Sequence, residues 1–319
     1  MNCHCCNGEA QKFGRFKNVN RIVQRYRCVS CNKTFSESQP LAGVRIESKQ
    51  AEQIVHLLVE GMGVRAISRF MGLHQQTVLN VIESAGEHCA RLLDAKIRNV
   101  SASWIQIDEI HSFVFSKADN TAPGDKERGE QFTFLSVDMS SKLIVNWRTA
   151  KRDDENTLAF LADLKSRMAG RFQLTTDAYG GYWRGGGAVA RVFGNSIDYA
   201  TETKIFANKT ALVKNWFIPP KLIEIRRYSR IGNPEMKLAT ICHAERMNLS
   251  VRLFNRRFTR KTLGYSKKLE NLRYAVALFV AHFNFCRVHS AHGRTPAQAA
   301  NLTDHQWTIH ELLSTTALS

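Results

Sequence analysis

The stretch "SWIQIDEIHSFVF", residues 103–115, decides how the rest of the chain is read. Its apolar residues are all β-branched or aromatic, the composition of a strand buried on both faces. Two acids, Asp108 and Glu109, stand inside it. Ionised carboxylates in such a strand are costly unless paired or bound to metal. Neighbouring side chains of a strand point to opposite faces. Asp108 and Glu109 are therefore expected not to ligate one ion together: one is catalytic, the other structural or solvent-facing.

Downstream, "EQFTFLSVDMSSKLIVNWRTA" (130–150) reads as a hairpin around "DMSSK", with Asp138 bonding its own turn. "DDENTLAFLADLKSRM" (153–168) reads as a helix capped by Asp153 or Asp154, with Leu158, Leu161, Leu164 and Met168 as its apolar stripe. "RFQLTTDAYGGYW" (171–183) is a strand ending at Thr176 and Asp177. Ligands of α/β sheets bind at such strand ends; a plain turn aspartate is the other reading of Asp177.

A third acid lies in "HAERMNLSVRLFNRRFTRKT" (243–262). At helical spacing Met247, Val251, Phe254 and Phe258 form one stripe. Glu245, Arg252 and Arg256 align opposite, with Asn248 beside them. Glu245 could merely pair with Arg252, an interaction of little worth. Residues 246–274, however, carry nine Lys and Arg against one acid, Glu270, which suits a metal set beside phosphates.

Upstream of residue 100 the pattern is helical. "SKQAEQIVHLLVEGMG", "VRAISRFMG" and "LHQQTVLNVIESAGEH" read as three helices punctuated by Gly61, Gly63 and Gly72. The third opens with His74, Gln75, Gln76, Thr77 and Asn80, side chains able to reach base edges, so a DNA-binding helix-turn-helix is expected. An ordinary three-helix packing unit is the alternative.

Five of the eight cysteines fall in the first 31 residues. Cys3 and Cys6 form one C-x2-C pair, Cys28 and Cys31 another, the spacing of a closed four-thiolate zinc site. His4 or Cys5 could replace a ligand. The residues between the pairs suit a hairpin, with Tyr26 and Phe35 packing near the second knuckle. Cys89, Cys242 and Cys286 are expected as buried thiols.

At 319 residues and a net charge of +17, the chain holds a sizeable core, more than one domain, and a surface suited to a polyanion or an anionic membrane. The longest apolar run, "YAVALFVAHFNF", is broken by His282 and Asn284 and is too short to span a bilayer. "MNCHCCNGEA" lacks a secretory pattern. A cytoplasmic location is expected.

The order of these features resembles the insertion-sequence-one family of bacterial transposases. The resemblance covers nearly the whole chain. It is carried by the paired knuckles with "YRCVSC", by "IDEIHSFV", by "TTDAYGGY" and above all by "AERMNLSVRLFNRRFTRKTLGYSKKLE". It departs at "CHCC", which lacks the usual proline, and at "SKADNTAPGDKERGEQ", which lengthens the first hairpin. The tail "HFNFCRVHSAHGRTPAQAAN" looks like that of several other transposase families.

The resemblance implies a multidomain α/β chain. A zinc ribbon (1–46) and a helix-turn-helix domain (47–99) precede an RNase H-like catalytic domain (100–300) and a tail (301–319). Asp108, Asp177 and Glu245 would fill an Asp–Asp–Glu triad binding Mg2+ or Mn2+, with structural Zn2+ in the ribbon. Arg246, Asn248, Arg252, Arg256, Arg257, Arg260 and Lys261 would contact DNA. The partners implied are double-stranded DNA and further copies of the chain, near the nucleoid, in element-end cleavage and strand transfer. An inactive DNA-binding regulator is the alternative.

Overall fold

The computed structural model describes residues 3, 6, 8–18, 21–36, 41, 44, 46–207 and 221–315. The alternative zinc ligands His4 and Cys5 lie outside them.

The expected N-terminal hairpin forms from β1 (Ala10–Asn18) and β2 (Arg21–Cys28), with β3 (Thr34–Ser36) added to β2. All pairings are antiparallel, and Tyr26 lies opposite Phe35 with ring centroids 5.9 Å apart.

Three helices follow: α1 (Ser48–Val59), α2 (Val64–Met71) and α3 (Gln75–Lys96). Gly72 closes α2 at φ 65°, a left-handed conformation that glycine adopts without a Cβ penalty. His74 then caps α3, its ring accepting from the Gln76 amide at 3.2 Å. The third helix outruns its expected length because Ala85, Cys89, Leu92 and Leu93 continue its buried face.

The chain next builds one mixed sheet. Strands β4 (Trp104–Val114), β5 (Gly129–Asp138) and β6 (Ile144–Ala150) form an antiparallel meander. Asp138 accepts from the Ser140 and Ser141 amides at their shared turn. Helix α4 (Asp154–Arg167), capped by Asp153, crosses to β7 (Gln173–Thr176), parallel to β4. Its buried face is Thr157, Phe160, Leu161, Leu164 and Arg167, shifted from the expected leucine stripe by the Arg167 contacts with Asp94 and Asp163. Short helices α5 (Gly180–Trp183) and α6 (Ala188–Phe193) lead to β8 (Asp198–Phe206), parallel to β7, and β9 (Leu222–Ile231) closes the edge antiparallel. The order β6-β5-β4-β7-β8-β9, flanked by helices, is compatible with an RNase H-like fold.

Four helices complete the chain: α7 (Cys242–Phe254), α8 (Leu269–Phe285), α9 (Pro296–Ala299) and α10 (Ile309–Ser314). The α7 helix stops at Phe254, so Phe258 belongs to a separate 3-10 turn rather than to the helical stripe. The apolar run of α8 is a buried core helix lying between α3 and the sheet. Asn284 accepts from the Ile144 amide and donates to its carbonyl. At Gly86 of α3 a Cβ would meet Tyr274 Cβ at 2.4 Å and its Cα at 2.6 Å, so only glycine permits this close crossing. One apolar core consequently runs from Ala51 to Leu313. Cys89 and Cys286 are buried within it, whereas Cys242, expected there, is exposed at the start of α7. No described helix is long and apolar enough to cross a membrane.

Candidate active site

The neighbours β4 and β7 are parallel, and the chain leaves β4 toward β5 but β7 toward β8, in opposite directions. A crevice opens at the carboxyl ends of strands at such a switch point. The β4–β7 pairing runs only from Trp104↔Gln173 to Ile107↔Thr176. Asp108 and Glu109 thus lie where the neighbouring strand has ended, and Asp177 is the first residue past that end. Oxygens of Asp108, Glu109 and Asp177 come within 4.8 Å of one another.

Asp108 and Glu109, expected not to ligate one ion together, thus stand close enough to do so. Their side chains do leave opposite faces of β4. Asp108 accepts from Asn248 of α7 at 2.8 Å, while Glu109 accepts from the Tyr182 hydroxyl of α5 and pairs with Arg152 at 2.9 Å. β5 still flanks both residues, but on the other side β7 has ended, so both carboxylates come close to Asp177 just past that end. Glu109 is not solvent-facing: its side chain is 3% exposed and held by Tyr182 and Arg152.

Burial pushes the Asp108 carboxyl up to about 6, aided by Asp177 and Glu245 and opposed by its bond from the Glu109 amide. Burial and the Asp177 charge raise Glu109 to about 7 against the pull of Arg152. Asp177 Oδ1 accepts from the Tyr179 amide at 2.9 Å, which fixes its turn.

Glu245 stands apart from this trio. It lies in the first turn of α7 and accepts from Lys204 of β8. The helix itself is pinned by Gln106 of β4, whose Oε1 accepts the His243 and Ala244 amides at 2.8 and 3.1 Å. That anchor brings Glu245 near enough to raise Asp108, though not into its cluster.

The residues expected on DNA divide in two. Arg246, Arg256, Arg260 and Lys261 are exposed, as are His74, Gln75, Gln76 and Asn80, with Thr77 half-buried. Asn248 is 5% exposed and turned inward to Asp108. Arg257 is also inward, bound to Ser266 Oγ at 2.7 Å, and burial lowers it to about 10. Arg252 is half-buried with its Nε enclosed and without a hydrogen-bond partner. Amphipathic periodicity set Arg252 opposite the apolar stripe with Asn248 beside it, whereas the helix packs by its Ala244–Asn248–Val251 side, and Arg257 lies beyond its end.

The donor set of the cluster is oxygen alone, the chemistry of Mg2+ or Mn2+ sites. Asn248 Oδ1 beside it is buried with no hydrogen-bond partner, a further hard donor left unsatisfied. The residues present therefore fit a divalent cation.

The N-terminal thiols also converge. Cys3, Cys6, Cys28 and Cys31 place their sulfurs within 4.8 Å of one another, with Cys3–Cys31 at 3.5 Å and Cys6–Cys28 at 3.4 Å. A tetrahedral zinc at Zn–S of about 2.3 Å has sulfur–sulfur edges of about 3.8 Å. The Cys31 amide directed at Cys28 Sγ holds that thiol down at about 6, while burial and the neighbouring sulfurs push the Cys31 thiol up to about 12.

No protein-family model matches the chain. No curated protein matches it. Among solved structures it is similar to a chain of a simian T-cell lymphotropic virus intasome in complex with PP2A regulatory subunit B56 gamma, at 16% identity and TM-score 0.36, over 79% of this chain and 74% of that one. It is also similar to a piggyBac transposase synaptic complex with hairpin DNA, at 10% identity and TM-score 0.36, over 84% of this chain and 70% of that one. Likenesses this slight say nothing of substrate or reaction.

Proposed function

We propose that the chain is a DNA-strand transferase of the transposase type, acting on the ends of a bacterial insertion sequence. The observation that carries this reading is the convergence of Asp108, Glu109 and Asp177 at the switch point of a mixed sheet, with Glu245 close by. The motif resemblance to the insertion-sequence-one family, the +17 charge and the cysteine cluster support it.

On this reading the division is a zinc ribbon to residue 46, a helix-turn-helix to 99, a catalytic domain to 300 and a tail beyond. Asp108, Asp177 and Glu245 hold Mg2+ or Mn2+, with Glu109 in the same cluster. With such ions bound, a carboxylate site activates a water or 3′-hydroxyl and stabilises the leaving oxygen of a phosphodiester. Asn248 orients Asp108, and Gln106 fixes the helix that carries Glu245. Exposed Arg246, Arg256, Arg260 and Lys261 position phosphates, while His74, Gln75, Gln76 and Asn80 face bases. Further copies of the chain would bring two ends together.

The test is incubation with Mg2+ and DNA that flanks the reading frame. Nicked and joined products are expected, and Asp108→Asn, Asp177→Asn and Glu245→Gln should each abolish them while sparing DNA binding. Binding should weaken steeply with salt as counterions are released. The Lys204–Glu245 pair favours a second reading, an inactive DNA-binding regulator. DNA binding without products under Mg2+ or Mn2+ would select it.

A further inference from the structure

The acidic cluster already holds a cation of its own. Arg152, two residues past the end of β6, sets Nη2 at 2.9 Å from Glu109 Oε2 and 3.6 Å from Asp177 Oδ2. Its guanidinium lies 3.8 Å from the Tyr179 ring centroid and 5.4 Å from that of Phe132. Carboxylates gathered this closely repel unless positive charge stands among them. The guanidinium supplies that charge from inside the protein. It does so at one oxygen each of Glu109 and Asp177, where its charge repels a divalent ion approaching the same carboxylates. The pose is incompletely satisfied, for Arg152 Nε is buried without a hydrogen-bond partner. The faces of Tyr179 and Phe132 offer the side chain a resting place when its ion pairs are given up.

We propose that Arg152 occupies the cation position of the Asp108–Glu109–Asp177 cluster in the metal-free protein, so that a divalent ion binds in competition with its guanidinium. This rests on the reading of the cluster as a metal site and concerns how that site is filled. Arg152 is a positioning residue: it holds the carboxylates together until metal arrives and sets the affinity with which it does.

The experiment is calorimetric titration of the full chain, zinc retained, with Mn2+ at pH 8.5. There the carboxylates are ionised and protons do not compete. In Arg152→Gln the Kd for Mn2+ should fall about 5-fold, the equivalent of about 1 kcal/mol of ion pairing. Arg152→Lys, which keeps the charge without the planar fork, should fall about 2-fold. If the Gln variant fails to fold, the Lys variant carries the comparison alone. Unchanged or weaker Mn2+ binding in the folded variants overturns the proposal. Uptake that is lost in Asp177→Asn yet indifferent to residue 152 overturns this inference alone. No uptake by the unaltered protein overturns the metal reading and this inference with it.

Discussion

Asn248 of α7 donates from Nδ2 to Asp108 Oδ2 at 2.8 Å, joining residues 140 positions apart. A hydrogen bond to an ionised carboxylate is worth about 1.5–3 kcal/mol, but little once the acid is neutral. In Asn248→Leu the Asp108 carboxyl should therefore rise further above its value of about 6. The variant should lose about 2 kcal/mol of stability at pH 8 and much less at pH 5. Urea unfolding at the two pH values measures this. An equal loss at both would mean that Asn248 matters only as packing.

The raised carboxyls give the metal-free protein a definite pH dependence. Asp108 and Glu109 sit at about 6 and 7, above their ordinary values of 3.8 and 4.5. Between those limits the folded state binds more protons than the unfolded one, so this part of the stability falls as pH rises. With EDTA-treated protein, the urea midpoint should drop from pH 5 to pH 8. The drop should be smaller in Asp108→Asn/Glu109→Gln. Added Mn2+ should restore the midpoint at pH 8, because it binds only the folded site.

The α3–α8 crossing has no room for a side chain at residue 86. Gly86→Val is expected to cost about 3 kcal/mol through overpacking. Gly170→Asn, at a left-handed position with nothing within 4 Å, should cost far less. Thermal unfolding of both variants decides it. Similar losses would show that the helices separate freely.

If the four thiols hold zinc, its chelation should act on one end of the molecule. Among the described residues of the first 36, the buried apolar side chains are Cys3, Val23 and Cys28, too small a core to stand alone. Stripping the metal, or Cys28→Ser, is expected to abolish hydrogen-exchange protection over residues 8–36 and leave β4 protected. Retained protection in the first segment would show that its sheet is stable without metal.

The sequence made the knuckles, the β4–β6 meander and the strand-end position of Asp177 legible, because each follows from local spacing and turn chemistry. What it hid depends on where neighbours stop. Alternation along β4 correctly puts Asp108 and Glu109 on opposite faces, yet says nothing of β7 ending at Thr176, which lets them meet. Asn248 and Arg257 look like surface residues until α7 is seen to pack by its Asn248 side and to end at Phe254. Gln106 is an unremarkable polar residue in a strand until two amides of a distant helix fall on its oxygen. Strand β9 drew no expectation, since most of its residues are exposed and no burial pattern marks it.

The glycine crossing also bears on scale. Helix α8 is wedged between α3 and the sheet, and one core runs through all of them. The polar start of α3 and the carboxylates of β4 are thereby held by packed side chains rather than by a tether. If α3 reads base pairs and the carboxylates cut, the molecule is a ruler. The number of base pairs between the sequence recognised and the bond broken is written into helix packing, and lengthening residues 97–103 would blunt the cut site rather than move it.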